Sequence, residues 1–239
     1  MKKLVVITGA SSGIGEAIAK RFSEAGYPLL LVARRVEKLR ALNLPNCICE
    51  QVDVTDKEAF SNSIAKAEAQ YGSVECLINN AGVMLLGQID TQEPAEWQKM
   101  FDVNVLALLN SMQVVLSSMK ERNSGTIINI SSIAGKKTFA NHAAYCGSKF
   151  AVSAITENVR EEVADFGVRV TSICPGAVET ELLGHTTSDE IKAGYNEWKK
   201  TMGGVLIADD IARAALFIQE QPQQVCIREL QVAPTRQQP

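Results

Sequence analysis

Leu4-Val5-Val6-Ile7-Thr8-Gly9-Ala10-Ser11-Ser12-Gly13-Ile14-Gly15 is the stretch that decides the fold. Four apolar residues make a strand buried on both faces. The glycines that follow break it, and Ile14, Ala17, Ile18 and Phe22 then recur at helical spacing over Gly13–Ala25. In a strand–turn–helix setting, Gly9 permits the tight turn, Gly13 lets backbone approach a pyrophosphate, and Gly15 lets the helix lie close to the sheet. With Ser11, Ser12 and Ile14 they form a phosphate cradle whose free N–H groups point at the ligand. The spacing is Gly-x-x-x-Gly-x-Gly rather than the commoner Gly-x-Gly-x-x-Gly, so the context carries the reading more than the glycines do.

Working outward, the same alternation fills the chain. Strands are expected at Leu29–Ala33, Cys47–Val52, Cys76–Ile78, Thr126–Ile130, Arg169–Ile173 and Val225–Val232. Helices are expected over Asp56–Tyr71, with Asp56 as its cap, Glu96–Arg122, Ala143–Phe166 and Asp209–Gln219. Strand and helix in strict turn imply an α/β fold, a doubly wound parallel sheet of Rossmann type with about seven strands, helices on both faces and one domain over residues 1–239. The segment Leu182–Leu206 is long for a connection and carries Gly184, Gly203 and Gly204; it is expected to be a lid.

The totals exclude several function classes. The formal net charge of -3 gives no electrostatic footprint for nucleic acid. No polybasic stretch addresses a membrane, and no apolar run reaches the ~18 residues of a span. The six cysteines include no Cys-x-x-Cys pair and read as reduced thiols of a cytoplasmic protein. With only two histidines, no metal site is expected.

The second strand ends Val32-Ala33-Arg34-Arg35, and Arg34 stands 19 residues after Gly15, where an NAD site usually places an acid for the ribose 2′-hydroxyl. Two guanidiniums suit a 2′-phosphate instead, so NADP(H) is the expected cofactor. Tyr145 and Lys149, four residues apart, share one helix face. An ammonium beside a phenol favours phenolate, which makes the pair a device for proton transfer. Ser132 closes a strand 13 residues earlier, on the rim where parallel sheets hold ligands, and Asn104 interrupts the apolar run Met100–Leu109.

Together these residues resemble the short-chain dehydrogenase/reductase family over nearly the whole chain. Thr8–Gly15 resembles its cofactor loop, Asp53-Val54 its adenine contact, Asn79-Asn80-Ala81-Gly82 the motif that steadies the sheet, and Pro175-Gly176 with Val178 and Thr180 the segment holding the nicotinamide carboxamide. Asn104, Ser132, Tyr145 and Lys149 fall on its catalytic tetrad. The resemblance implies that Tyr145 moves the proton, Lys149 lowers its pKa and binds the nicotinamide ribose, Ser132 holds the substrate oxygen, and Asn104 supports a relay water. It also implies a homotetramer, or a dimer. Gly147 stands where many members carry alanine and would admit a close neighbour. Ala81–Gly87 and the Arg228–Gln237 end are similar to the subgroup of clavulanate, serine and 3-hydroxy-acid dehydrogenases.

The expected function is hydride transfer between NADPH and the carbonyl or alcohol of a small to medium substrate: an aldehyde, a ketone or a 3-hydroxy acid. Leu85, Leu86, His142, Val178, Leu182 and Leu183 are candidate lining residues. The alternative is an NADP(H)-sensing protein without catalysis, against which the intact tetrad stands. An epimerase of related fold would need a larger region after Gly176.

Overall fold

Leu4 and Val6 face one side of the sheet while Val5 and Ile7 face the other, and both sides are buried. Every such strand therefore needs helices above and below it. The computed structural model describes residues 2–238 and meets that need. Strands β1 (Val5–Thr8), β2 (Leu29–Ala33), β3 (Cys47–Gln51), β4 (Cys76–Asn79), β5 (Gly125–Ile130), β6 (Val168–Pro175) and β7 (Glu229–Val232) form one sheet of order β3-β2-β1-β4-β5-β6-β7. All its pairings are parallel. The order reverses between β1 and β4, which opens a crevice at the carboxyl ends of the strands.

Helices α1 (Gly13–Glu24) and α8 (Ala208–Gln219) cover one face, packing Ile18, Phe22, Ile211 and Ala215 on Val5, Ile7, Leu29 and Leu31. An ion pair from Arg21 to Asp209 at 2.5 Å ties the two helices at the surface. The opposite face is covered by α3 (Lys57–Tyr71), α5 (Ala107–Glu121) and α6 (Ala143–Val163), which bring Phe60, Ile64, Met112, Val115 and Val152 onto Val6, Leu30, Leu77 and Ile127. Asp56 caps α3 by accepting the Ala59 N–H at 2.9 Å. Helices α2 (Val36–Ala41), α4 (Pro94–Phe101) and α7 (Asp189–Thr201) complete the chain.

Three sequence expectations change. The last strand begins at Glu229 rather than Val225, because the Val225 carbonyl turns to the buried Arg169 guanidinium. The expected helix Glu96–Arg122 is two helices joined by a π turn, Asp102–Leu106, that carries Asn104. That continuous run, Pro94–Glu121, is long and apolar enough by length and composition to cross a membrane, contrary to the expectation that none would be; its inner side packs on the sheet. The segment Leu182–Leu206, expected to be a lid, consists of the end of a 3₁₀ turn, Glu181–His185, and α7 with its flanking loops. The excursion is pinned at both ends, since Leu206 donates its N–H to Ala177 at 3.0 Å and accepts that of Glu179 at 2.8 Å.

Candidate active site

The glycine turn is built by mutual support. Gly9 has φ +65°, and a Cβ there would meet the Ala81 backbone at 2.8 Å. Gly15 abuts Asn80 and the Gly9 carbonyl so closely that no side chain fits. Thr8 and Asn80 then lock the turn to β4: the Asn80 and Ala81 N–H groups both donate to Thr8 Oγ1 at 3.0 Å, and Asn80 Nδ2 donates to the carbonyls of Thr8 at 3.0 Å and Gly9 at 3.2 Å. Asn79 reaches the other way, donating to Asn129 Oδ1 at 2.9 Å and accepting from Ser111 Oγ at 2.6 Å, so the crossover loop is fixed to β5 and α5 as well.

Above this frame lies a cavity of about 1080 Å³ that runs along the carboxyl rim of the sheet. That is at the upper end of what small ligands occupy and suits a dinucleotide with a substrate beside it. The glycine turn (Gly9, Ser11, Ser12, Gly13, Ile14), Arg34, Arg35, Asp53, Val54, Asn80, Ala81 and Gly82 line it, as do Ser132, Tyr145, Lys149, Pro175, Gly176, Val178 and Thr180. Leu86, His142, Leu182 and Leu183 also reach it. Three expected residues stand elsewhere. Gly15 supports the turn from behind, Asn104 is buried under the wall, and Leu85 packs into a hydrophobic cluster with Met100 and Tyr145 instead of facing the cavity.

Asn104 clamps the loop after β4: its Oδ1 accepts the Val83 N–H at 2.8 Å while its Nδ2 donates to the Val83 carbonyl and to Ser148 Oγ, each at 3.0 Å. The π turn gives it that aim, because one extra residue in the turn rotates the side chain out of the helical register. Ser132 caps the short 3₁₀ turn Ile133–Gly135, accepting the Ala134 N–H at 3.0 Å. That bond fixes Oγ and leaves its O–H free to turn toward Tyr145.

The electrostatics differ from the simple Tyr–Lys expectation. Burial pushes the Tyr145 phenol well above its ordinary value, and the Ser132 hydroxyl pulls it part of the way back. Lys149 Nζ lies 5.9 Å from the phenol ring centroid and donates to the Ile130 carbonyl at 3.0 Å. Burial brings Lys149 down to about 8. Desolvation therefore acts on both members, holding the phenol neutral and making the ammonium easier to discharge.

At the far end, Arg35 donates to Ser12 Oγ at 2.9 Å and to Ser11 Oγ at 3.3 Å, and pairs with Glu181 at 3.0 Å. Lys38 joins Glu181 at 3.2 Å. A carboxylate thus occupies anion-binding positions beside the serine turn. Sequence reasoning missed Glu181, and also Phe139, Tyr195 and Trp198, which line the cavity with His142. Gln237 was likewise not foreseen as a site residue; its Oε1 accepts the Ala177 N–H at 2.9 Å. Gly147 is exposed and has ordinary room toward Phe101, 3.6 Å from where a Cβ would lie, so it serves no close approach at the cavity. Among the described residues no group of three or more His, Cys, Asp or Glu is placed to hold a metal.

A glycine turn under a crevice, with a tyrosine, lysine and serine gathered on one rim, defines a dinucleotide-binding oxidoreductase site. The sequence pattern of the family described as short chain dehydrogenase matches residues 3–191, and the chain belongs to that family. An oxidoreductase of Staphylococcus saprophyticus is 38% identical over 98% of this chain and 97% of its own length. The closed form of serine dehydrogenase complexed with NADP+ superposes with a TM-score of 0.90 at 31% identity, covering 98% of this chain and 96% of that one. An alcohol dehydrogenase from the archaeon Thermococcus sibiricus, complexed with 5-hydroxy-NADP, superposes at 0.86 with 27% identity, covering 100% and 99%. The protein is an oxidoreductase of this family.

Proposed function

We propose that this oxidoreductase uses NADP(H) to interconvert a carbonyl and an alcohol, with Tyr145 as the proton donor and acceptor. The observation that carries the reading is the convergence of Tyr145, Ser132, Lys149 and the glycine turn on one cavity. The residues present fit the cofactor. The end of β2 offers Arg34 and Arg35 with no acid, and Arg35 already holds a carboxylate, that of Glu181, beside Ser11 and Ser12. NADP-bound structures among the similar proteins support the same choice.

When bound, the nicotinamide supplies or accepts the hydride. The chain does the rest. Ser132 orients the substrate oxygen, and the neutral Tyr145 phenol donates its proton to that oxygen as charge develops there. The Lys149 ammonium steadies the phenolate left behind. Asn104 positions the Val83 backbone beneath the site. The 182–206 segment covers the cavity and excludes water, as a lid would.

We also assign a homotetramer. Phe101, Leu106 and Leu109 on the α4–α5 run and Phe150 on α6 are exposed, as are Ile207, Phe217 and Val225 at and after α8. Exposed apolar residues on two sets of elements suit two kinds of two-fold contact.

The test of the reaction is loss of NADPH absorbance with a panel of aldehydes, ketones and 3-oxo acids, with NADH in parallel. Turnover with NADPH in clear preference to NADH is expected. In Arg34→Asp the KM for NADPH rises and that for NADH falls; an unchanged preference removes the cofactor assignment.

A further inference from the structure

The substrate half of the cavity is walled by aromatic rings drawn from two separate segments. Phe139 precedes α6, His142 caps its start, and Tyr195 and Trp198 come from α7. Their ring centroids lie 5.6 Å apart for Phe139–His142, 6.2 Å for Phe139–Trp198, 6.3 Å for His142–Tyr195 and 5.2 Å for Tyr195–Trp198. His142 in turn stands 6.2 Å from the Tyr145 ring, edge to face, so the cluster begins at the proposed proton donor. All four rings are half-buried, leaving faces or edges open to the cavity. Spacings of this size are those at which rings pack against one another, and a further ring entering the group would find the same contacts.

Among the described residues, no Lys or Arg that lines this half of the cavity is free to hold an anion; Lys137, whose Nζ lies 5.2 Å from the Phe139 ring centroid, is engaged with that ring and does not line the cavity. The Lys and Arg side chains that reach the cavity are Arg34, Arg35, Lys149 and Lys199. The first two stand at the end of β2, beside Asp53. Lys149 is buried against the Ile130 carbonyl. Lys199, next to Trp198, is held by Glu179 at 2.8 Å. Burial also lowers the His142 pKa from its ordinary value, which keeps the imidazole neutral near pH 7. The acids Glu96 and Glu190 line the same side, Glu96 accepting from Thr187 Oγ1 at 3.1 Å. A carboxylate brought here loses water and gains no counter-ion, which is costly.

We infer that the substrate is an uncharged aldehyde or ketone bearing an aromatic or similarly flat apolar group, which stacks among Phe139, His142, Tyr195 and Trp198 with its carbonyl at Tyr145. Substrates whose carboxylate must enter the pocket, serine and 3-hydroxy acids among them, are disfavoured. This inference rests on the hydride-transfer reading above and narrows it.

The experiment compares kcat/KM for NADPH-dependent reduction of benzaldehyde with that of 4-formylbenzoate, with propanal as the aliphatic reference and NADP+-dependent oxidation of L-serine as the fourth arm. Benzaldehyde is expected to exceed 4-formylbenzoate by about tenfold or more, the scale on which a pocket discriminates. In Trp198→Ala, and in Phe139→Leu should the first fold poorly, the benzaldehyde-to-propanal ratio falls about fivefold. Glu179→Gln releases Lys199 and narrows the gap between benzaldehyde and 4-formylbenzoate several-fold. Faster turnover of 4-formylbenzoate or serine than of benzaldehyde overturns the substrate class and leaves the hydride-transfer reading standing. No turnover in any arm, with NADPH still bound, removes both.

Discussion

Tyr145 and Lys149 show why spacing alone described the site incompletely. Their separation by four residues places them on one face, but burial, which sequence does not reveal, sets their proton affinities. Lys149 falls from an ordinary 10.5 to about 8. Between those values the unfolded chain binds more protons than the folded one, so stability attributable to this group rises with pH across that window. Thermal unfolding of wild type and Lys149→Met at pH 8 and pH 10 is therefore expected to show the wild type gaining on the variant as pH rises; a constant difference contradicts the burial argument. In the same range loss of the ammonium removes the charge that steadies the phenolate, and kcat for reduction is expected to fall above about pH 8. Gly15→Ala is the other decisive single change. A methyl there displaces Asn80 or the Gly9 carbonyl, so NADPH affinity measured by fluorescence titration is expected to fall by at least about tenfold, the scale of one or two lost phosphate contacts.

At the scale of elements, what was legible followed from burial pattern. Strands β1, β2 and β4 are buried along their whole length, and their apolar runs name them directly. The run Val225-Cys226-Ile227 looks the same in sequence, yet the ladder starts later, because Arg169 draws the preceding carbonyls to itself. That arginine is 4% exposed and meets no carboxylate; it donates to Thr126 Oγ1 at 2.7 Å and to the carbonyls of Gln219 at 3.1 Å and Gln221 at 2.9 Å, at the end of α8. A buried cation facing a helix C-terminus is favourably placed. Arg169→Met strips those acceptors of their donor and is expected to cost roughly 2–4 kcal/mol, or about 5–15 °C in Tm by calorimetry. The π turn was hidden for a different reason. One inserted residue leaves the apolar pattern of Met100–Leu109 nearly intact, and only the buried Asn104 hinted at it. The aromatic wall escaped notice because Phe139 and His142 lie far along the chain from Tyr195 and Trp198. The available signal was scarcity: aromatic residues are 5% of the sequence, yet both tryptophans lie in or against this pocket.

For the whole molecule, the parallel sheet explains why residues from such distant segments act together. Each strand ends on the same rim, and the reversal of order at β1 and β4 leaves the crevice into which Tyr145, Ser132 and the glycine turn all face. The sheet also leaves β3 and β7 as edges. If the proposed tetramer uses Leu106 and Phe150, Leu106→Glu combined with Phe150→Glu is expected to halve the mass seen by sedimentation from tetramer to dimer; an unaltered mass removes those two residues from the assembly. The proposed reaction turns on the proton that Tyr145 holds. Tyr145→Phe deletes one oxygen from a buried ring, so it is expected to bind NADPH as the wild type does while reducing carbonyl substrates at least about 100-fold more slowly. Carbonyl reduction by that variant at the wild-type rate, with NADPH bound equally well, would contradict it.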